Sequence, residues 1–352
     1  MNPSWSGAGG DGLQVLWEDG ERVFCRRESR VDGNPAAVLA VLPAVEHPTP
    51  ATLEGLAREY GLKDELNGAW AVRPLELVRE RGRTMLVLED TRSEPLHRLL
   101  GVPMEVRGFL RLAIAVAGAL TQVHRRGLVH KDIKPANILV NRTTGEVKLT
   151  GFGIASRLPR ERQAPAPPES IAGTLAYMAP EQTGRMNRSI DARSDLYALG
   201  VTLYQMLTGS LPFTAADPME WVHCHIARKP VPPSERLETV PPAVSALILK
   251  LLAKTAEERY QTAAGLERDL RRCLAEWEAQ HRIDAFPLGQ QDTPDRLLIP
   301  EKLYGREREI ETLLAAFDRV VTGGRPQLVL VSGYSGIGKS AVVNELHKAL
   351  VP

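Results

Sequence analysis

Two short stretches gather the residue types that could do chemistry. His130-Lys131-Asp132-Ile133-Lys134-Pro135-Ala136-Asn137 offers a carboxylate, a lysine two residues on and an amide five residues on. It lies between an apolar, helix-like run and the strand-like Ile138-Leu139-Val140. The second stretch, Gly333-Tyr334-Ser335-Gly336-Ile337-Gly338-Lys339-Ser340, follows the apolar run Gln327–Ser332 and leads into a helix-like Ala341–Leu350. G-x(4)-G-K-S between a strand and a helix reads as a phosphate-binding (Walker A) loop. Backbone N–H groups freed by Gly333, Gly336 and Gly338, with the helix N-terminus, would cradle the phosphates of ATP. Lys339 would reach the β/γ oxygens and Ser340 would hold Mg²⁺.

The elements that must position the first stretch begin near residue 13. Leu13–Trp17 is strand-like, Asp19-Gly20 is a hairpin signal, and Val23-Phe24-Cys25 sits in the return strand. Asp32-Gly33-Asn34-Pro35 reads as a second turn before a nearly all-apolar third strand, Ala36–Leu42. Leu53, Leu56, Ala57 and Tyr60 fall at helical spacing and predict a helix over Ala51–Leu66, with a further strand at Thr84–Leu88. From about Arg107 the pattern turns helical: Phe109, Leu110, Ala113, Ile114, Ala117, Leu120 and Val123 line one face of a long helix ending near Gly127. Glu146–Leu149 is a short strand, and Arg157 to Ser170 has the polar, proline-rich composition of a surface loop. Further helices are expected from Ser194, at 217–228, 242–253 and 262–279, and later at Glu309–Val320.

In this order the motifs acquire a family. The octet matches H-x-D-x-K-x-x-N. Gly151-Phe152-Gly153 stands where D-F-G is expected, and Ala179-Pro180-Glu181, Ser194-Asp195-Leu196-Tyr197-Ala198-Leu199-Gly200 and Arg259 follow at matching distances. Residues 11–280 therefore resemble eukaryotic-type Ser/Thr protein kinases. The resemblance implies an α+β, bilobal protein-kinase-like fold, with a small β-rich lobe over 13–90 and a large helical lobe over 91–280. It further implies that Asp132 accepts the substrate hydroxyl proton, Lys134 steadies the transferred phosphate and Asn137 holds Mg²⁺. His130 belongs to the same structural motif, Glu181 would pair with Arg259, and Asp195 would anchor the catalytic loop from beneath.

The same comparison exposes what is missing. A kinase holds the ATP phosphates with a lysine of the third strand, paired to a glutamate of the next helix. Here the lysine position reads as Ala40, and the first lysine of the chain is Lys63. Glu59 is the natural helix partner, with Arg26, Arg27 and Arg30 the candidate stand-ins from a neighbouring strand. Gly151 replaces the magnesium-binding aspartate, and no aspartate occurs between Asp132 and Asp191. In place of a glycine-rich phosphate cover, Leu16–Glu21 offers one glycine and three carboxylates, either facing the cleft or on a solvated hairpin tip. Losing one charge stabiliser costs about 10²–10³ in rate; losing two would cost roughly 5–8 kcal/mol if the effects added. The expectation is a pseudokinase acting as a regulatory or partner-binding scaffold. The alternative is an active Ser/Thr kinase with Asp132 as base. Ser170 and Thr174 lie where an activation segment could be phosphorylated, Thr174 reading rather as a contact to the catalytic loop. His223 and His225 read as surface or packing residues, not metal ligands.

Composition limits the remaining classes. With 352 residues, 44 basic and 43 acidic, the net charge of +1 gives no global case for nucleic acid or an anionic membrane. The longest greasy stretch, Leu112–Leu120, is about half a membrane span. Cys25, Cys224 and Cys273 are too scattered for a zinc site or a disulfide framework, which fits a reducing cytoplasm. Residues 1–12 read as a disordered N-terminus, 13–280 as the kinase-like domain, 281–303 as a linker and 304–352 as the truncated start of an α/β P-loop ATPase. Pro352 leaves no room for a Walker B strand, so the chain is expected to be a piece of a longer protein. With Tyr304-Gly305-Arg306-Glu307-Arg308-Glu309, it is similar to bacterial signalling proteins that join a kinase-like domain to an AAA/STAND-type ATPase and often a sensor histidine kinase. ATP and Mg²⁺ are then expected at the P-loop of the longer protein. The expected partners are another protein or the chain's own downstream ATPase and sensor domains.

Overall fold

Three strands open the fold: β1 (Gln14–Glu18), β2 (Arg22–Val31) and β3 (Asn34–Pro43). The computed structural model describes residues 13–31, 34–80, 82–157, 161–162, 173–186, 188–294 and 305–345. The chain forms two compact units, Met1–Gly101 with Arg111–Arg157, and Val102–Leu110 with Leu158–Pro352.

In the first unit, α1 (Pro50–Gly61), β4 (Pro74–Glu80) and β5 (Arg83–Glu89) complete an antiparallel sheet of order β1-β2-β3-β5-β4. Thr49 caps α1 by accepting a hydrogen bond from the Thr52 N–H at 3.2 Å, with Pro50 at the first turn, where its missing donor costs nothing. The helix is shorter than the predicted Ala51–Leu66. It ends at Gly61, and Leu62 and Leu66 are buried from turns instead. From Val38 to Leu42 β3 is wholly apolar because both its faces are covered there. Val38, Ala40 and Leu42 pack with Val23, Cys25, Met85 and Val87 on one face. Leu39 and Val41 pack with Trp17, Phe24, Leu86, Leu88 and Leu56 of α1 on the other. β4 escapes sequence reading because it is an edge strand, Pro-Leu-Glu-Leu-Val-Arg-Glu, paired only with β5 and largely wetted.

A second sheet in this unit, β6 (Glu94–Pro95), β7 (Ile138–Val140) and β8 (Val147–Leu149), flanks the octet. Helix α2 (Val106–Arg125) buries Phe109, Leu110, Ala113, Val116, Ala117, Leu120 and Val123. Its length and apolarity alone would suffice for a membrane span, but most of that apolar window is buried within the protein. The proline-rich run Arg157–Ser170, the turn residues Asp32 and Gly33, and Tyr304 lie wholly or largely outside the described residues.

The second unit holds the two-stranded ladder β9 (Glu161–Arg162) with β10 (Ser189–Ile190), then α3 (Ala192–Thr208), α4 (Pro218–Ile226), α5 (Pro233–Arg236), α6 (Pro242–Leu251) and α7 (Ala263–Gln280). Asp191 caps α3 by accepting from the Arg193 N–H at 2.8 Å. Apolar nearly all round, α3 is buried along almost its whole length. His225 is a packing residue: it meets the Tyr197 hydroxyl at 3.0 Å through Nδ1 and lies among Trp221 and Phe213, and burial pushes its pKa down to about 3.

Part of the stretch expected as linker is docked. Ile283 is buried. The Asp292 carboxylate accepts from the Gln261 N–H at 2.5 Å, the Thr262 N–H at 2.9 Å and the Thr262 hydroxyl at 2.7 Å, at the N-terminus of α7. Gly265 makes room, since a Cβ there would stand 2.3 Å from the carboxylate. Asp292→Ala removes an anionic cap and is expected to lower stability by about 1–2 kcal/mol, read as a reduced thermal midpoint of the full chain. An unchanged midpoint would show the docked stretch to be incidental.

The chain continues into α8 (Glu307–Gly323) and α9 (Lys339–Glu345), which bury Leu313, Ala316 and Val342. The strand predicted at Gln327–Ser332 is not formed among the described residues. The segment carries no assigned secondary structure, with Leu328 98% and Leu330 86% exposed, because a strand needs a neighbour to satisfy its backbone.

Candidate active site

The octet folds as a loop held from within. Lys131 takes a left-handed conformation, φ 67°, turning the chain between His130 and Asp132. His130 is fully buried. Its Nε2 donates to the Thr150 carbonyl at 3.0 Å and its Nδ1 accepts from the Asp132 N–H at 3.3 Å, while the ring lies 4.5 Å from that of Phe152. The Asp132 carboxylate receives the Lys134 ammonium at 3.0 Å and the Asn137 amide at 2.9 Å. Burial pushes the Asp132 carboxyl up, but the Lys134 charge and hydrogen bond outweigh it, with help from His130 and Arg22. The net shift is down, so this carboxylate is ionised at neutral pH. Asn137 also donates to the Asp132 carbonyl at 2.8 Å, which leaves Oδ1 as its outward-facing acceptor.

That acceptor is taken by Arg22, the first residue of β2. The Arg22 guanidinium donates through Nη2 to Asn137 Oδ1 and to Asp19 Oδ2, each at 2.5 Å, and through Nε to Asp19 at 3.0 Å. It lies 5.1 Å over the Phe24 ring. Burial favours its neutral form, but Asp19, Glu59 and Asp132 outweigh that, and the net effect is a raised pKa. Asp19 is almost fully buried and also accepts the Glu21 and Arg22 backbone N–H groups, while Glu18 and Glu21 are exposed. The hairpin tip is therefore split: one carboxylate faces inward onto Arg22 and the other two are solvated.

Sequence reasoning missed Arg22. Two of the three candidates it offered are engaged elsewhere. Arg26 pairs with Asp90 at 2.7 Å, Arg27 with Glu80 at 3.2 Å, and the side chain of Arg30 lies outside the described residues. Strand parity was the available signal, because Arg22 shares the α1-facing side of β2 with Phe24.

Ala40 needs a correction for the same reason. It is fully buried in the cluster on the sheet face away from α1, and Leu39 and Val41 are the β3 residues on the α1 side. Neither is a lysine. Glu59 is buried and bonds the backbone instead, accepting from the Gly151 N–H at 2.9 Å and the Thr150 hydroxyl at 3.4 Å. Gly151 sits at φ 81°, ψ 40°, and a Cβ there would stand 2.5–2.7 Å from Oδ1, Cγ and Nδ2 of Asn137. With Asn137 Oδ1 bonded to a guanidinium and no side chain possible at 151 as packed, these residues do not fit a kinase magnesium site. Among the described residues, no three His, Cys, Asp or Glu side chains cluster to hold a metal.

In the second unit, Arg259 and Glu181 form a buried bidentate pair at 2.7 and 2.9 Å. Ser194 donates to Glu181 at 2.7 Å, and Arg259 also donates to the carbonyls of Ala253, Arg193 and Lys254. Asp195 is buried in the first turn of α3, Thr174 is half-buried, and Ser170 lies outside the described residues. The P-loop glycines Gly333, Gly336 and Gly338 all have positive φ. The Lys339 ammonium is held by the Gly333 and Tyr334 carbonyls at 2.8 Å each, and Ser340 is exposed at the start of α9. A cavity of about 280 Å³ adjoins them, lined in part by Arg306, Leu313, Ile337 and Lys339.

Comparison with known proteins gives the family. A protein kinase domain model matches residues 36–270, and the chain belongs to that family. An AAA ATPase domain model matches residues 302–352. The chain is 28% identical over 332 residues to hybrid signal transduction histidine kinase G of Dictyostelium discoideum, covering 70% of this chain and 10% of that protein. It is 37% identical over 196 residues to a probable serine/threonine-protein kinase, CE0033, of Corynebacterium efficiens, covering 54% of this chain and 29% of the relative. Serine/threonine-protein kinase PknB of Mycobacterium tuberculosis is 39% identical over 168 residues, covering 48% of this chain and 26% of its own. The chain thus spans less than a third of each of these relatives. It is a kinase-family domain joined to AAA ATPase sequence, a pairing whose families use ATP and Mg²⁺ in general.

Proposed function

We propose that the kinase-family domain is a pseudokinase, a regulatory scaffold within a larger ATPase-containing signalling protein. The packing at Gly151 carries this reading. The Asn137 amide fills the space in which a side chain at 151 would hold Mg²⁺ against the phosphates. The displaced third-strand cation adds to it, since the α1-facing positions of β3 are Leu39 and Val41. Phosphate and Mg²⁺ binding fall instead to Gly333, Gly336, Gly338, Lys339 and Ser340, completed by sequence of the larger protein. The partner is another protein or the downstream ATPase and sensor segments, and the setting is the cytoplasm, in keeping with the free, buried Cys25, Cys224 and Cys273.

One observation favours a second reading, an active Ser/Thr kinase with Asp132 as base: the Asp132–Lys134 pair at 3.0 Å is geometrically intact. The two separate in the full chain carrying Lys339→Ala, which silences the P-loop. Incubated with Mg²⁺, γ-labelled ATP and general Ser/Thr substrates, it is expected to incorporate no label and to show no Mg·ATP-dependent thermal shift. Incorporation that Asp132→Ala abolishes would establish the kinase reading instead.

A further inference from the structure

We propose that Arg22 is the resident cation of the octet site, a guanidinium covalently supplied by the protein where the family places a divalent ion. The proposal rests on the pseudokinase reading and identifies what fills the site.

Asn137 Oδ1 is an acceptor that the amide's bonds to Asp132 leave over, and in active kinases the catalytic-loop asparagine gives it to Mg²⁺. Here Arg22 Nη2 takes it at 2.5 Å. The guanidinium carries a charge that does not titrate away, and three carboxylates, Asp19, Glu59 and Asp132, act on it electrostatically. Within the octet, the Lys134 ammonium is bonded to Asp132 at 3.0 Å. A cation is thus required here, and the chain provides one.

The hairpin that delivers it is built for the purpose. In kinases the β1–β2 turn is a glycine-rich cover whose backbone approaches phosphates. Here Asp19 Oδ1 accepts the Glu21 N–H at 3.1 Å and the Arg22 N–H at 2.8 Å, closing the turn, and Oδ2 grips the guanidinium. Side-chain exposures of 1% for Asp19 and 13% for Arg22 mark an enclosed contact, not a surface ion pair. Arg22 and Lys134 are both engaged by carboxylates, Asp19, Glu59 and Asp132, and so are not open to a nucleotide's phosphates. The same guanidinium therefore completes the site and keeps both the metal and its nucleotide out.

The consequence is testable with Mn²⁺ alone, using the full chain with Lys339→Ala and Ser340→Ala so that the P-loop contributes nothing. The background protein is expected to leave the electron paramagnetic resonance signal of free Mn²⁺ unchanged at millimolar protein. Arg22→Met uncovers Asn137 Oδ1 and the Asp19 carboxylate, oxygens suited to a hard ion that retains several waters. It should gain one weak site, with a Kd of about 10⁻⁴–10⁻³ M. Adding Asn137→Ala should abolish the gain, and Arg22→Lys, which restores the charge, should bind no Mn²⁺. If Arg22→Met folds poorly, Arg22→Gln is the substitute, and Mn²⁺ should raise its thermal midpoint but not that of the background protein. A folded Arg22→Met or Arg22→Gln protein that takes up no Mn²⁺ would overturn the proposal while leaving the pseudokinase reading standing. Equal Mn²⁺ uptake by the Arg22-containing background would overturn it too. Phosphotransfer by the protein with Arg22 present would instead remove the reading on which it rests.

Discussion

Arg259→Met is expected to be the most destabilising single change in the second unit, costing about 3–5 kcal/mol in urea or thermal unfolding. The reason is asymmetry: the pair itself adds little to stability, but its removal strands a charge. Glu181 is 3% exposed and would lose both guanidinium bonds, keeping the Ser194 hydroxyl and its own backbone N–H. Three backbone carbonyls, of Ala253, Arg193 and Lys254, would lose their donor as well. Domains of this kind are stable by only about 5–15 kcal/mol, so the variant should be marginal. The pH dependence gives a second reading of the same event. In the parent, burial pushes the Glu181 carboxyl up, but Arg259 outweighs burial and the net shift is down. Its contribution is thus complete above the unfolded value of about 4.3 and is lost as pH falls below it. In the variant, burial acts without the counter-charge, so the carboxyl is raised and protonation relieves the cost. The stability gap between the two proteins should therefore be widest near neutrality and narrow on acidification. A constant gap from pH 7 to 5 would show that lost packing, not the stranded carboxylate, dominates. Arg259→Met combined with Glu181→Leu should recover part of the loss.

What could be read from the sequence follows from how each feature is encoded. The octet was legible because its chemistry is contiguous: Asp132, Lys134 and Asn137 are set by one loop, and their bonds run within five residues. The arrival of Arg22 at Asn137 spans 115 positions and depends on which face of a strand each residue takes. β3 hides that information. Its run of Val38, Leu39, Ala40, Val41 and Leu42 is apolar on both faces, so no alternation fixes the parity, and a one-residue slip moves a side chain to the opposite face. That slip is why Ala40 seemed to be the lysine position. The docking of Asp292 was hidden differently: a polar stretch reads as linker unless the N–H groups it satisfies, on Gln261 and Thr262, are already known to be exposed at a helix start. The tail of the chain shows the reverse case. Gln327–Ser332 carries a strand's composition, but composition cannot supply the neighbour that a strand requires.

Restoring the missing aspartate should therefore fail to restore a kinase. Gly151→Asp places a Cβ 2.5–2.7 Å from the Asn137 amide and a non-glycine residue at φ 81°. Left-handed strain alone costs of order 1–3 kcal/mol. Moving Asn137 aside breaks its bonds to Arg22 and to Asp132, leaving buried polar atoms that cost about 1–3 kcal/mol more. The new carboxylate would also stand beside Asp132, with Glu59 already bonded to the 151 N–H, adding negative charge where Arg22 and Lys134 are committed. The expected result is a loss of roughly 2–6 kcal/mol in stability and no gain in phosphotransfer. Pairing it with Ala40→Lys should make matters worse, because that ammonium would enter the apolar cluster of Val23, Cys25, Val87 and Met85, on the face away from Glu59. Unfolding curves and labelled-phosphate assays on the single and double variants check both halves. If Gly151→Asp proved as stable as the parent, Asn137 would have to be free to leave Arg22, and the packing at 151 would no longer account for the missing metal ligand. A site organised around a built-in cation should resist piecemeal repair, since each restored catalytic group meets the residue that replaced it.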